Sequence, residues 1–519
     1  MKRRNLIPIY LVVSFVFYWV VIPVTLLCIS LFLNDKMNIF WHFSPWRIFS
    51  GVLLVIISLY LAVWATSALW YTGRGLPISS FPPKRLVTSG PYSYTRHPLY
   101  LAFILYTFGI GLIFSPSMVF IVNPIFILLL ILHILKEERL LLKKFGEDYL
   151  YYRKNVPGLW KFKKRTEAPY VPNPFIISLY LILSCIFKKI FNLQPAPKFN
   201  RDMGPYIIVS NHQCYLDPLF LVAALGLPIR FLTTGKMFNK RISKRFFLSL
   251  GTIPVYRCKS KAPHILLTKK ALKSGDIVGI FPEASRSWDG NFVGIDRRVL
   301  RLIRILDYPI LVVRIDGSYN VLPRWSKVYH RANVSVKIMG WIEEPRKLTE
   351  RELKEKIING ISNAKRSKAR WGRMNKYIET LIWRCPECSS EKSIVRKGTK
   401  SFYCKYCGKE WNIDDEMIVV SKEYRKLKDS FFRNGVNLPV KINEEVTLEE
   451  GYVKVGGEMI SIEDIKSISI DGTDEMLIAL KNDNCKKIKT PDALRLKMYI
   501  ELLKGVEADD NTDFDPFWF

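Results

Sequence analysis

The chain is poor in acidic residues: its 519 residues include 46 Asp and Glu against 78 Lys and Arg, and the formal net charge is +32. A balance this basic is typical of proteins that bind nucleic acid or an anionic membrane. The sequence lacks a nucleic-acid recognition motif, and it also lacks internal repeats and low-complexity segments. We therefore expect an anionic bilayer surface as partner, and no nucleic acid.

Charge of either sign is missing from three stretches near the N-terminus. Residues 6–33, 48–73 and 97–135 contain no Asp, Glu, Lys or Arg. A helix needs roughly 20 apolar residues to cross a bilayer core of about 30 Å, so each of the first two stretches is long enough for one span. The third is too long for one span, and Ser115-Pro-Ser117 divides it into two short ones. We predict a domain of four transmembrane helices at residues 1–165.

The first span is not a cleaved signal peptide, because it is too long and lacks a small-residue cleavage site. Basic residues predict its orientation: Lys2, Arg3 and Arg4 precede it, and Lys36 is the only basic residue of the loop 34–46. Positive residues favour the cytoplasmic side. We expect an integral membrane protein with both termini and the catalytic domains in the cytoplasm. Nine cysteines without a general pairing pattern fit that compartment.

A histidine and an aspartate follow an apolar, strand-like run. His212 and Asp217 come after residues 206–209, and Phe281-Pro-Glu-Ala-Ser-Arg-Ser287 comes after the strand-like residues 277–280. A base with an orienting carboxylate, beside an arginine, suits acyl transfer to a phosphate-bearing alcohol. The hydroxyl must lose a proton, and the phosphate needs a fixed guanidinium. The alternative is a buried His–Asp pair without a catalytic role.

These blocks resemble the glycerolipid acyltransferase family, which acylates glycerol phosphate and lysophosphatidate. That family carries Asn-His-x4-Asp-Pro, a Gly-x-Ile-Pro-Val-x-Arg-like block, Phe-Pro-Glu-Gly-Thr-Arg-Ser and an apolar strand. All four occur in this order between residues 200 and 341, with the second block at residues 251–257. The resemblance implies His212 as general base and Asp217 as its orienter. It also implies a substrate-binding role for Arg257, Glu283, Ser285 and Arg286.

The sequence departs from the family pattern at three positions. Ala284 and Ser285 replace the usual Gly-Thr, and Cys214 stands where a small hydroxyl residue is common. Around these blocks, strand-like and helical runs alternate, which predicts an α/β domain with a mixed sheet at residues 170–345. We expect a helix at 262–274 and strands at 222–227, 230–233, 251–256, 277–281, 310–315 and 333–339.

Two features of this region suggest contact with lipid. Residues 175–187 are apolar but too short to cross a bilayer, so they form either an interfacial helix or an ordinary buried one. A basic set interleaved with phenylalanines lies between the first and third blocks. It suits docking on anionic lipid, or else forms a solvated surface over core phenylalanines. Its basic members are Lys236, Lys240, Arg241, Lys244, Arg245, Arg257, Lys259 and Lys261.

Ionisable residues also lie at the ends of two predicted spans. Arg96-His97 begins the third and Glu137-Glu138 ends the fourth, so both pairs lie at the same face, where such residues are typical of a functional site. The run Gly90-Pro-Tyr-Ser-Tyr-Thr-Arg-His-Pro-Leu-Tyr100 resembles the isoprenylcysteine carboxyl methyltransferase and phospholipid methyltransferase superfamily, over residues 71–160. The resemblance implies an S-adenosylmethionine site lined by Arg96, His97, Tyr100, Glu137 and Glu138. The alternative is interfacial anchoring, and the methyl acceptor stays open.

Four cysteines have the spacing of metal ligands. Cys385-x2-Cys388 and Cys404-x2-Cys407 form two knuckles, which suit structural Zn²⁺ and resemble a zinc ribbon at residues 385–415. The alternatives are a redox dithiol and rubredoxin-like iron.

A basic helical linker is expected before the knuckles, at residues 346–384. The region 420–505 is β-rich, with turns at Gly456-Gly457 and Asp471-Gly472 and a closing helix at 491–503. It weakly resembles a pleckstrin-homology-like barrel. The tail 506–519 is acidic and aromatic. These parts could bind a protein partner or lipid, or only pack.

Together the patterns predict a membrane-bound enzyme that modifies lipids. It would move an acyl chain from acyl-CoA or an acyl carrier protein to a lysophospholipid or glycerol phosphate, in phospholipid synthesis. The membrane domain would add methyl transfer from S-adenosylmethionine to a membrane lipid or prenyl substrate. Two alternatives remain open: a non-catalytic lipid-binding or assembly scaffold, and an acyltransferase whose membrane domain is only an anchor.

Overall fold

The chain divides into two units, Met1–Ser178 and Leu179–Phe519. The computed structural model describes residues 16–40, 42, 44–69, 73, 83, 86–88, 90–159, 184, 186–194, 196, 205–256, 263–273, 275–370, 372–482 and 484–505. Some features singled out in the sequence lie outside the described residues: Arg257, Lys259, Lys261, most of the predicted interfacial helix 175–187, and the tail 506–519.

Apolar helices make up the N-terminal unit. Helices α1 (Phe17–Met37), α2 (Pro45–Ala68) and α4 (Met118–Asn155) are long and apolar enough to cross a membrane, and α3 (Pro98–Phe114) is apolar but shorter. Helix α3 ends at Ser115, which has extended backbone angles, so the break falls in the run that the sequence singled out. Helix α4 continues past the charge-free stretch and carries Glu138.

Small residues allow α2 and α3 to pack closely. A Cβ added at Gly51 would lie 2.8 Å from the backbone oxygen of Gly109, so a larger residue would push the helices apart. Ser58, Ala62 and Ala65 continue the buried side of α2. Close backbone approach through small residues is the usual way in which membrane helices associate.

A mixed six-stranded sheet forms the centre of the second unit, in the order β3-β2-β4-β1-β5-β6. All neighbours are parallel except β5 and β6, which are antiparallel. The predicted α/β architecture is thereby confirmed. The strands are β1 (Ile207–Ser210), β2 (Ile229–Thr234), β3 (Ile253–Val255), β4 (Ile277–Ile280), β5 (Ile310–Asp316) and β6 (Ser335–Ile342).

Apolar residues cover both faces of this sheet. In β1, Ile208 belongs to one buried cluster, while Ile207 and Val209 belong to the other. Strands buried on both faces are apolar throughout rather than alternating, and this is why β1 contains three consecutive aliphatic residues. The surrounding helices are α5 (Asp217–Leu225), α6 (Arg241–Ser249), α7 (Pro263–Lys273), α8 (Arg297–Leu306) and α9 (Glu350–Ile361).

The strand predicted at residues 222–227 is wrong, because most of that run lies in α5. Asp217-Pro218 begins the helix, since proline is favoured in a first turn, where its missing N–H has no intrahelical partner. Gly226 ends it in the left-handed conformation, with φ at 63°. A short apolar run by itself fits a strand and a buried helix equally well.

Helix α9 belongs to the α/β layer, although it lies in the range predicted as a linker. Thr349 and Glu352 form a reciprocal capping box at its start. Leu353, Ile357 and Ile361 are fully buried in the cluster that also contains residues of β1 and β5. Within residues 346–384 the described helices are α9, a single turn at Pro345–Lys347, and the four-residue α10 (Ile378–Leu381).

The last part of the chain contains three small antiparallel sheets. Their strands are β7 (Ile394–Lys397), β8 (Ser401–Cys404) and β9 (Glu410–Asn412), then β10 (Val440–Lys441), β11 (Val446–Glu449), β12 (Tyr452–Val455) and β13 (Glu458–Ser461), then β14 (Ile465–Asp471), β15 (Glu475–Leu480) and β16 (Cys485–Lys489). Helix α11 (Ile418–Asn434) precedes β10, and α12 (Ala493–Leu503) closes the region. The resemblance to a pleckstrin-homology-like barrel stays a prediction.

One continuous hydrophobic cluster joins this C-terminal part to the α/β region. Trp288, Tyr319 and Trp325 come from the segments around the sheet. Phe402 of the cysteine-containing sheet and Leu496 of α12 belong to the same cluster. The C-terminal strands are therefore held against the α/β region by shared burial, rather than only by the covalent chain.

Candidate active sites

His212 lies just beyond the carboxyl end of β1, one of the two central strands of the sheet. The neighbouring Asn211 holds the segment after β1 in place. Its Nδ2 donates to the Ile315 oxygen at 2.8 Å, and its Oδ1 accepts from the Ile315 nitrogen at 2.8 Å. Because both bonds reach β5, the position of His212 is set by the sheet itself.

Asp217 holds the imidazole of His212. Its Oδ2 lies 2.9 Å from His212 Nδ1, and it also accepts from the backbone nitrogens of Gln213 at 2.7 Å and Cys214 at 2.8 Å. Asp217 is completely buried. Burial lowers the pKa of His212, although the hydrogen bond that its ring makes to Asp217 opposes the shift. The ring is thus an oriented, neutral imidazole at neutral pH, with Nε2 left for a substrate.

Glu283 supports the histidine from the third sequence block. Its Oε1 accepts from the backbone nitrogen of His212 at 2.7 Å, and its Oε2 accepts from Val293 at 3.3 Å. Burial raises the pKa of Glu283 to about 8. A carboxyl that is largely protonated at neutral pH is suited to holding the loop, and it leaves Asp217 as the carboxylate that pairs with the base.

The departure at Ala284 has a conformational consequence. Its φ is 53°, in the left-handed region where glycine is favoured. An alanine costs about 1–2 kcal/mol there, because its Cβ crowds the backbone. The loop holds this conformation next to Glu283, although the sequence lacks the glycine that would adopt it freely.

Arg286 is a buried cation facing the same space as His212. Only 7% of it is exposed, and its guanidinium carbon lies 3.3 Å from the centre of the Tyr215 ring. Among the residues that the structure describes, its buried Nη1 has no hydrogen-bond partner. Burial lowers its pKa, but an arginine keeps its charge at any physiological pH. A fixed guanidinium with an unused donor is suited to an anionic substrate group.

His212 and Arg286 line one cavity of about 360 Å³. Phe231, Phe246 and Phe247 are among its apolar lining residues. A polar end with a base and a cation, joined to an apolar space, matches a lipid with an anionic head group. A larger groove, of about 670 Å³, runs along α11, but its lining residues include no histidine, so it offers no comparable base.

In the N-terminal unit, the five predicted cofactor-site residues form two hydrogen-bonded groups. Glu138 Oε1 accepts from Arg96 Nε at 2.9 Å and lies 3.0 Å from His97 Nε2. Tyr100 donates to Glu137 Oε2 at 2.8 Å. Glu138 is buried, with 7% of its surface exposed. Tertiary packing therefore brings α3 and α4 together at these polar residues.

The four cysteines of the two knuckles converge. The Sγ atoms of Cys385, Cys388, Cys404 and Cys407 all lie within 4.8 Å of one another. Cys385 Sγ is 3.7 Å from Cys407 Sγ, and Cys388 Sγ is 3.6 Å from Cys404 Sγ. Four thiolates about 2.3 Å from a tetrahedral ion would stand roughly 3.8 Å apart, so the cluster fits one metal ion.

Two family models match segments of the chain that contain these sites. Residues 190–316 match the family described as Acyltransferase, and residues 46–148 match the family described as Phospholipid methyltransferase. The chain carries an acyltransferase domain and a phospholipid methyltransferase domain. The acyltransferase domain contains His212, Asp217, Glu283 and Arg286, and the methyltransferase domain contains Arg96, His97 and Glu138.

Curated relatives are similar to part of the chain. A chloroplastic 1-acyl-sn-glycerol-3-phosphate acyltransferase of Arabidopsis thaliana is 26% identical over 31% of this chain and 46% of its own length. One of Brassica napus is 24% identical over 24% of this chain and 36% of its own length. The chain thus spans less than half the length of the curated relatives it matches. The crystal structure of a Thermotoga maritima 1-acyl-sn-glycerophosphate acyltransferase is 19% identical, covering 36% of this chain and 77% of that one, with a TM-score of 0.32.

Sequence reasoning missed part of the acyltransferase cavity. Arg324, Tyr215 and residues 470–472 also line it. Arg324 and residues 470–472 lie in no sequence block that marks a site. Tyr215 lies inside the first block, between His212 and Asp217. Its aromatic ring was the sequence feature from which a contact with Arg286 could have been predicted.

Proposed function

We propose that the acyltransferase domain transfers an acyl chain from a thioester donor, acyl-CoA or acyl carrier protein, to the hydroxyl of a lysophospholipid or glycerol phosphate. The observation that carries this proposal is the shared cavity, in which His212, oriented by buried Asp217, faces an apolar space beside the unpaired donor of Arg286. The relatives' printed names support the same class of reaction.

The reaction needs only a base and a fixed cation. His212 Nε2 removes the proton from the acceptor hydroxyl as that oxygen attacks the thioester carbonyl. The tetrahedral intermediate then collapses, the carbon–sulfur bond breaks, and the imidazolium returns the proton to the leaving thiolate. The products are an ester and a free thiol. Arg286 would bind the phosphate, and Arg257 and Ser285 are further proposed substrate-binding residues.

The base assignment can be tested with purified full-length protein in lipid nanodiscs. We expect His212→Ala to lose at least about a hundredfold in acyl transfer from labelled acyl-CoA to a panel of lysophospholipids, the usual contribution of general base catalysis. His42→Ala, which removes an exposed histidine of the N-terminal unit, is the matched control and should keep full activity. Equal activity of His212→Ala and the control would refute the mechanism, and absence of transfer by the wild type would favour a scaffold.

A second proposed activity is methyl transfer by the N-terminal domain. The supporting observation is the buried group of Arg96, His97 and Glu138, next to Tyr100 and Glu137. These residues present carboxylates, an imidazole and a phenol to a polar cofactor. We propose that they hold S-adenosylmethionine, which would supply the methyl group. Their part would be to position the cofactor against a membrane lipid, because methyl transfer is an in-line displacement.

We further propose Zn²⁺ as the ion of the cysteine cluster, in a structural role. Four thiolates complete the coordination shell and leave no open position for a substrate. The basic residues before the first span and in the loop after α2 support an orientation with both termini and the acyltransferase domain in the cytoplasm.

A further inference from the structure

The turn between β14 and β15 belongs to the acyltransferase cavity, although it lies far along the chain from the sequence blocks. Ile470, Asp471 and Gly472 line the cavity together with His212 and Arg286. The turn is tight: Asp471 pairs with Glu475 across the hairpin, and Gly472 adopts a φ of 79°. A C-terminal hairpin thus supplies part of the wall beside the proposed base and phosphate ligand.

Arg324 fixes this hairpin to the loop that carries Arg286. Its Nη2 donates to the Ile470 oxygen at 2.8 Å and its Nε to the Gly472 oxygen at 3.3 Å. Its Nη1 donates at 2.7 Å both to Ser285 Oγ and to the Arg286 oxygen. One buried guanidinium therefore fixes the hairpin and the Arg286 loop relative to each other.

A second tie joins the hairpin to the end of β2. Asp471 Oδ2 accepts from Thr234 Oγ1 at 3.2 Å. Lys236 Nζ lies 3.1 Å from Glu475 Oε2, and Glu475 also pairs with Lys487 at 2.8 Å. The charge of Lys236 is thereby balanced by two acids of the hairpin, Glu475 through an ion pair and Asp471 through a weaker electrostatic interaction, and this reduces what Lys236 can offer to a substrate phosphate.

Apart from Arg324, whose guanidinium is bonded to both walls, the cavity wall presents the cation Arg286 and the anion Asp471, which are not paired with each other. The buried Nη1 of Arg286 has no hydrogen-bond partner in the described part of the chain. Asp471 accepts only the Thr234 hydroxyl among the described side chains, and it lies near enough to oppose the lowering of the Arg286 pKa by burial. A head group with two negative charges would be repelled by the carboxylate, whereas one with a phosphate and an ammonium matches both groups.

We infer that the β14–β15 turn is the head-group wall of the acyl transfer site, and that Asp471 selects a zwitterionic lysophospholipid, with an ammonium beside its phosphate, over a lysophospholipid ending in a phosphomonoester. This inference rests on the proposed acyl transfer and narrows its acceptor. Arg286 would bind the phosphate, and Asp471 would bind the ammonium.

The test measures acylation of lysophosphatidylethanolamine and lysophosphatidate with identical acyl chains, by full-length protein in nanodiscs. We expect wild type to have the higher kcat/KM for the ethanolamine lipid. Asp471→Asn, which removes the charge but keeps the shape, should shift the ratio of the two kcat/KM values toward lysophosphatidate by roughly tenfold, slightly more than the effect of one charge–charge contact in water. Glu458→Gln on β13, which removes an exposed acid paired with Lys486, is the matched control and should leave the ratio unchanged.

Binding of the same two lipids to His212→Ala separates this inference from the proposed function. Tighter binding of the ethanolamine lipid, lost in the double variant with Asp471→Asn, would support the head-group wall even if wild type transferred no acyl chain. Acyl transfer with equal use of both lipids, a preference for lysophosphatidate, or a ratio that Asp471→Asn does not move would overturn the inference and leave the acyltransferase proposal standing. Equal binding of both lipids without transfer would overturn both.

Discussion

Asp217→Asn tests the proposed mechanism with the smallest change in shape. The Oδ2 atom of Asp217 accepts three hydrogen bonds, from His212 Nδ1, Gln213 N and Cys214 N, at 2.7–2.9 Å. An asparagine oxygen can accept the same bonds, but it lacks the charge. Its NH₂ would occupy the place of Oδ1, for which the described residues supply no hydrogen-bond partner. A hydrogen bond to a charged group contributes about 1.5–3 kcal/mol, so we expect the unfolding temperature to fall.

The catalytic effect should be larger than the loss of stability. Without the carboxylate, the ring of His212 loses its fixed orientation and the stabilisation of its protonated form. We expect kcat to fall by about 10²–10⁴, the range over which general base catalysis contributes. Burial already lowers the pKa of His212 and Asp217 opposes that shift, so the ascending limb of the pH–rate profile should move to lower pH in the variant.

The assay is acyl transfer from acyl-CoA across pH 4.5–8.5, with unfolding followed by intrinsic fluorescence. Asp276→Asn is the control, because Asp276 is a half-buried carboxylate that is also ion-paired, with Arg230 at 2.8 Å, and lies outside the cavity lining. It should lower stability and keep kcat. A folded Asp217→Asn protein with kcat within about threefold of wild type would refute the assignment of His212 as an oriented base.

Four further outcomes are expected. Glu283→Gln should flatten the pH dependence of stability. The pKa of Glu283 rises from 4.5 to about 8 on folding, so the wild type loses stability as pH rises through that interval. A series of thermal-unfolding measurements that shows the same pH dependence in the variant would contradict this. Ala284→Gly should raise the free energy of unfolding by about 1 kcal/mol in chemical denaturation, because glycine adopts φ 53° without crowding, whereas no change would show that the loop carries no strain. Glu138→Gln should weaken S-adenosylmethionine binding in calorimetry at least tenfold, since it removes the negative charge that pairs with Arg96, while the exposed control Glu147→Gln should not. Protein purified without chelators should contain one zinc per chain by metal analysis, and Cys404→Ser should lose it; well below one equivalent in wild type would remove the zinc proposal.

Local sequence patterns were sufficient to predict those parts of the structure whose contacts are themselves local. His212 and Asp217 meet within one turn at the start of α5, so the sequence block already contains both partners. The two Cys-x2-Cys knuckles and the charge-free helices could likewise be predicted from the sequence, because the spacing of metal ligands and the length of an apolar helix are local features. The run 222–227 shows the limit: its composition fits strand and buried helix equally, and the flanking Asp-Pro and glycine decided for helix.

The sequence alone predicted apolar helices long enough to cross a membrane, a histidine with its carboxylate, an arginine suited to an anion, and four cysteines with the spacing of metal ligands. Only the tertiary structure decided that a hairpin from the C-terminal strands lines the acyltransferase cavity, where Thr234 and Asp471 meet across 237 positions of sequence. Contacts of that separation leave no periodicity or spacing to read. They arise from shared burial around Trp288 and Trp325 and from one arginine, Arg324, whose guanidinium donates to two loops at once.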